Sequence, residues 1–154
     1  MDQAGRLVIL LGMLREAKDV AQATGTFEVK LAPQKADNAQ AEGAGLGRMS
    51  LDKQFHGDLE ATGQGEMLSI LDRGIGSGGY VAMERVTGTL QGREGSFVLQ
   101  HNATMNRGAA QMDIIVVPDT GTGALTGISG SMTIRIEGSQ HFYDFDYKLE
   151  STAS

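Results

Sequence analysis

Residues 131–149 read SMTIRIEGSQHFYDFDYKL, and this stretch decides the fold. Met132, Ile134 and Ile136 alternate with Thr133 and Arg135. Beyond Gly138-Ser139, His141, Tyr143 and Phe145 alternate with Asp144 and Asp146. A period of two is the signature of a half-buried β-strand. Gly at the first central position of a two-residue loop suits a type II′ hairpin turn. That turn sets Met132, Ile134 and Ile136 on the same face as His141, Tyr143 and Phe145. A slip by one residue would send every one of these side chains to the opposite face, so the matched faces fix the register.

Residues 84–101, ERVTGTLQGREGSFVLQH, make a second hairpin. A two-residue turn at Gln91-Gly92 sets Val86 opposite Phe97, Glu84 opposite Leu99 and Ala82 opposite His101. Working outward, Phe27, Val29 and Leu31 alternate with polar residues, and Pro33 is expected to end that strand. APQKADNAQAEGAG (residues 32–45) reads as a loop. Met49, Leu51 and Phe55 mark a second strand, followed by a tight turn at Gly57-Asp58. A third strand runs from Leu59 to Ile70, with Gly63 and Gly65 as expected bulge or bend sites. DRGIGSGG (residues 72–79) is the next loop. MDIIVV (residues 112–117) is apolar on both faces; it is expected to be the best-buried strand and to face a partner subunit. Eight such segments between Thr24 and Leu149 predict an all-β fold, an eight-stranded antiparallel barrel whose closure removes exposed edges. A β-sandwich is the alternative. Phe27, Val29, Leu51, Phe97, Leu99, Ile134, Tyr143 and Phe145 are the expected core.

The chain of 154 residues has the length of one domain. Its 22 Gly against 2 Pro suit turns in a β protein and not a disordered tract. With 13 Lys+Arg and a net charge of -6, it lacks the basic footprint of a nucleic-acid binder. It has no Cys, which excludes disulfides, thiolate catalysis and zinc–thiolate sites and fits a reducing cytoplasm. His56, His101 and His141 are spaced too widely for a local metal motif, so neither a metal nor a cofactor is expected.

Residues 1–22 read differently. In LVILLGMLREAKDVAQ (residues 7–22), Leu7, Leu10, Leu11, Leu14, Ala17 and Ala21 fall near helical spacing, which predicts a short amphipathic N-terminal helix or extension. A signal remnant and a start-site artefact are the alternatives; Arg15, Glu16, Lys18 and Asp19 crowd the stretch before a cleavage site. The apolar run is too short to span a bilayer. The organisation expected is thus residues 1–22 as helix or extension, 23–150 as barrel and 151–154 as tail.

Glu84 and His101 are the strongest candidate pair. A two-residue turn puts both on one face with Tyr80, Ala82, Val86, Phe97 and Leu99. A carboxylate and an imidazole in an apolar interior shift each other's proton affinity and can run general acid–base chemistry. The same pair also serves as a satisfied structural hydrogen bond. Tyr80, Glu84, His101 and Tyr143 are the candidate ligand-binding residues; no catalytic residue is assigned. His141 reads as a rim residue and His56 as exposed. GIGSGG (residues 74–79) lacks the Lys and the following helix of a phosphate cradle. Asn102-Ala103-Thr104 matches a glycosylation sequon but lies within an expected strand. Asp144 and Asp146 read as solvated charges, with too few oxygen ligands for a cation.

GTFEVKLAPQ (residues 25–34), GEMLSI (65–70), GYVAMERVTGTLQGREGSFVLQH (79–101) and DTGTGALTGISGSMTIRIEGSQHFYDFDYKL (119–149) resemble a bacterial family of small proteins of unknown function. The resemblance spans residues 23–149 and implies an allene oxide cyclase-like barrel. It brings no catalytic set, and a shared barrel does not imply a shared reaction. Two functions are expected of such a chain. One is the binding of a small apolar or amphipathic molecule in the barrel, isomerase- or cyclase-like. The alternative is a non-catalytic homo-oligomeric barrel, structural or regulatory. Neither reading involves nucleic acid or a membrane span.

Overall fold

The computed structural model describes residues 20–149. Nine strands follow one another: β1 (Ala21–Gln34), β2 (Gly47–Gly57), β3 (Leu59–Asp72), β4 (Ser77–Leu90), β5 (Arg93–Asn106), β6 (Ala109–Val116), β7 (Thr122–Gly123), β8 (Ile128–Glu137) and β9 (Gln140–Leu149). One short helix, α1 (Ala39–Gly43), is capped by Asn38, whose side chain accepts from the Ala41 amide. The sheet runs β4-β3-β2-β1-β9-β8-β6-β5, and β4 pairs with β5, so eight antiparallel strands close on themselves. Closure removes the sandwich alternative. β7 is a two-residue addition on β5.

Paired residues can be followed round the barrel: Pro33, Met49, Met67, Ala82, His101, Ile114, Met132, Phe145 and back to β1 at Ala23. The return falls ten residues from the start, as Pro33 and Ala23 show. This stagger tilts the strands and widens the barrel for its strand number.

Both hairpin registers are as the alternation predicts. Gln91 and Gly92 both have positive φ, 45° and 84°, and Ala82 pairs with His101. Gly138 has φ 63°, and Ile134 pairs with Tyr143. The core is aromatic: Phe27, Phe55, Phe97, Tyr143, Phe145 and Tyr147 are buried with Leu59, Leu90, Leu99, Ile114 and Leu125. Each such side chain contributes roughly 1.5–3 kcal/mol on burial. Leu51 is also buried, while Val29 and Ile134 are half-buried against this cluster.

Several details depart from the sequence reading. β1 starts at Ala21, so Ala21 and Gln22 belong to the barrel and not to a leading helix; the rest of that helix reading falls on residues outside those described. Pro33 does not end β1. Beyond Phe27, β1 has lost β9 as a neighbour and pairs only with β2, and a strand edge tolerates a residue without an N–H. The stretch 32–45 contains the end of β1 and α1 and is not simply loop. Gly63 and Gly65 make no bulge; pairing runs unbroken past both. β6 is not the best-buried strand. Ile114 and Val116 face inward and Ile115 outward to solvent, while Met112, at the inward phase, is exposed because β6 meets β8 over only two residue pairs and Met112 lies beyond them.

Candidate functional site

Strand alternation and the stagger bring three polar side chains to one layer of an otherwise apolar interior: Lys53 on β2, Glu84 on β4 and His101 on β5. Lys53 Nζ lies 2.8 Å from Glu84 Oε1, with the two side chains 4% and 0% exposed. His101 Nε2 lies 2.7 Å from the same oxygen. Among the inward positions of the described barrel strands, the only other formal charge is Arg93, exposed at the far end of β5 where it pairs with Leu90.

Sequence reasoning missed two members of this site. Lys53 sits between Leu51 and Phe55 at the inward phase of β2, a polar interruption in an apolar alternation that was the available signal. Its ammonium lies 4.9 Å from the centre of the Phe27 ring and 5.6 Å from that of Phe55, and both ring faces favour a cation. Gly63 is the second. A Cβ there would lie 2.5 Å from Glu84 Oε2 and 3.3 Å from the Phe55 ring. The missing side chain is the space that the carboxylate occupies.

Burial works against the charge on Glu84, but the His101 hydrogen bond and the Lys53 charge outweigh it and hold the carboxyl below its ordinary value. An ionised Glu84 accepts only, so His101 Nε2 carries the proton toward it. In the neutral ring, Nδ1 is then the acceptor. Glu84 Oε2 is buried and has no hydrogen-bond partner among the described residues.

Tyr80 stands above this layer, its ring centre 6.4 Å from that of His101. Burial and the nearby Glu84 charge push its phenol up, so it remains a donor. Its hydroxyl meets only Met112 Sδ, at 3.9 Å, a weak acceptor.

Apart from Ser69 and Tyr80, the inward positions above the polar layer are mostly apolar, Leu31, Met49, Met67, Ala103, Met112 and Ile136 among them. Leu31, Met112 and Ile136 are 45%, 40% and 65% exposed although they point inward. The barrel therefore opens at this end as an apolar, methionine-rich mouth with a polar floor. His141 lies at the rim, half-buried, its ring 5.0 Å from Phe27.

Tyr143 takes a different place. Its hydroxyl accepts from the Leu59 amide at 2.9 Å and donates to the His56 carbonyl at 2.9 Å. It packs edge-on against Phe55, and burial pushes its phenol up to about 12. This is a tie between strands, and no contact joins Tyr143 to Tyr80, Glu84 or His101. His56, part-exposed, pairs with Glu28 at 3.0 Å. Asn102 and Thr104 lie within β5, and Asp144 pairs with Arg135 at the surface.

A second concavity, of about 840 Å³, lies on the outside of the same wall. Leu68, Val81 and Met83 line it with Arg48, Gln100 and residues of the α1 loop. Lys53, Tyr80 and Glu84 do not line it, whereas His101 does. Among the described residues no group of three or more His, Asp or Glu side chains is placed to hold a metal ion. No described helix is long and apolar enough to cross a membrane.

Residues 23–147 match the model of a family described as a protein of unknown function, DUF3224. A crystal structure of a protein with unknown function from that family, from Shewanella oneidensis MR-1, is 50% identical in sequence. It superposes with a TM-score of 0.80, over 86% of this chain and 99% of that one. No curated protein matches the chain.

Proposed function

The chain belongs to the DUF3224 family of proteins of unknown function, and we propose that it binds a small apolar or amphipathic molecule in the open end of its barrel. The observation that carries this reading is the pairing of a solvent-open apolar mouth with a buried floor of Lys53, Glu84 and His101. Ligand sites are concave, mostly apolar, and carry a few convergent polar groups. Methionine suits such a wall because it adapts its shape to what it meets. Lys53, Tyr80, Glu84 and His101 form the polar part of the proposed site. The allene oxide cyclase-like assignment and a cytoplasmic setting, which the absence of Cys fits, belong to the same reading.

Isomerase-like turnover is its chemical extension. His101 Nδ1 takes a proton from a carbon beside a ketone, and the C–H electron pair becomes the C=C of the enolate. Tyr80 hydrogen-bonds the enolate oxygen. The proton returns at a different carbon, so no oxidant or reductant is consumed.

The test uses N-phenyl-1-naphthylamine, a neutral fluorescent probe of apolar sites. Met112→Glu places a charge in the mouth without touching the core, and Met83→Glu does the same in the outer groove. The reading predicts that the first abolishes probe binding and the second leaves it unchanged. The reverse pattern, or no binding by the parent protein, would refute it.

One observation favours a second reading, a homo-oligomeric barrel of structural or regulatory role. Leu68, Ile70, Val81, Met83 and Ile115 point outward and are each about half exposed, a stripe of the kind that marks association surfaces. Sedimentation of the parent protein and of Val81→Glu distinguishes them: an oligomer that dissociates on that substitution supports the second reading.

A further inference from the structure

We propose that the ligand's head group is electrically neutral: one ketone, alcohol or phenol oxygen on an apolar body, and neither a carboxylate nor an amine. This deepens the binding reading above and rests on it.

Charge on the floor restricts the head group first. Lys53 and Glu84 cancel each other through a direct contact, and the other charged residue at an inward strand phase among the described residues, Arg93, lies at the opposite end of β5 from the mouth. A ligand carboxylate seated on this floor would put a second anion beside Glu84 with no free cation to meet it. A ligand ammonium would put a second cation beside Lys53 with no free anion. Desolvating an ion without a partner is costly. The mouth around the floor supplies no relief, since its inward residues are Leu, Met, Ala and Ile with Ser69, Tyr80 and His141. The charged side chains of the same strands, such as Lys30, Arg48, Asp52 and Glu66, lie at the opposite phase and point outward.

Hydrogen bonding then selects among neutral groups. Tyr80 offers an O–H whose only protein contact is a sulfur. His101, with Nε2 turned to Glu84, offers an acceptor at Nδ1. One donor and one acceptor, on rings whose centres lie 6.4 Å apart, match a hydroxyl fully and a ketone by half. A purely apolar ligand leaves both unused.

The experiment compares 1-decanol, 2-decanone, decanoate and decylamine, which share one tail length, together with decane. Displacement of the fluorescent probe is read at pH about 8, where free decanoate is ionised and free decylamine protonated. The alcohol and the ketone are expected to bind at least about tenfold more tightly than the two ions, the ratio that about 1.4 kcal/mol produces. Tyr80→Phe should erase most of the alcohol's advantage over decane while leaving decane binding unchanged. If decanoate or decylamine binds as tightly as the alcohol, the neutral-head inference fails and the binding reading stands. If decane equals the alcohol in the parent protein, the polar floor is not read by ligand, and the inference fails in that way. If none of the five displaces the probe, the binding reading falls and takes the inference with it.

Discussion

Lys53→Met isolates the energetics of the buried polar layer. The substitution keeps most of the aliphatic stem between Phe27 and Phe55 and removes only the ammonium. Glu84 is then left fully buried with a single hydrogen bond, from His101, and with Oε2 still unpartnered. Breaking a buried pair by deleting one partner costs roughly 3–5 kcal/mol. The carboxyl escapes part of that by taking up a proton, which places the expectation near the lower end, about 3 kcal/mol at neutral pH. For a domain of this size that corresponds to a fall in Tm of about 6–12 °C. Urea unfolding followed by far-ultraviolet circular dichroism measures it directly, since the chain has no Trp. The deficit should shrink toward acid, where Glu84 is protonated with or without Lys53. A double-mutant cycle with Glu84→Gln should show the two changes to be coupled by more than about 1 kcal/mol. A loss below about 1 kcal/mol, or strict additivity, would refute the claim that these groups form one buried unit.

Three further outcomes are expected. Tyr143→Phe leaves the Leu59 amide without its acceptor and should destabilise by roughly 1–3 kcal/mol, with probe binding at the mouth unchanged; loss of binding with no loss of stability would contradict its role as a tie. Gly63→Ala drives a methyl into the space of the Glu84 carboxylate and should cost roughly 1–3 kcal/mol, read as a lower urea midpoint; a neutral result would mean the carboxylate is not confined. Because the folded-state value of Glu84 lies below its ordinary one, its contribution to stability is complete above the ordinary carboxylate value and is lost as pH falls through the folded value. The drop in unfolding free energy between pH about 6 and about 3 should therefore be smaller in Glu84→Gln than in the parent protein, and an equal drop would show that Glu84 titrates as an ordinary carboxylate.

What the sequence reveals here follows from what strand alternation encodes. The turns at Gln91-Gly92 and Gly138-Ser139 are local, so the registers of both hairpins, and with them the shared face of Glu84 and His101, are legible in the sequence. Lys53 reaches Glu84 across β3, from two strands away, and pairing between distant strands leaves no local trace. Only its inward phase between Leu51 and Phe55 betrays it. Gly63 and Gly65 suggest bends because glycine in a strand marks either a bulge or a close approach; which of the two depends on Glu84, a residue on another strand. Tyr143 shares an inward face with the site, yet it lies deeper in the barrel, and depth is set by the ten-residue stagger and not by alternation. The exposure of Met112 likewise depends on how little of β6 meets β8.

The methionines report directly on whether a ligand enters the barrel mouth. Protein labelled with 13C at the methionine methyl groups is titrated with 1-decanol and observed by 1H–13C correlation spectroscopy. Met49, Met67 and Met112 point into the mouth from three different strands, while Met83 points out of the same wall into the outer groove. Saturable shifts at the three inward methyl groups, with Met83 unmoved, are the predicted result. Shifts confined to Met83, or a spectrum that does not change, would contradict a ligand site in the barrel mouth.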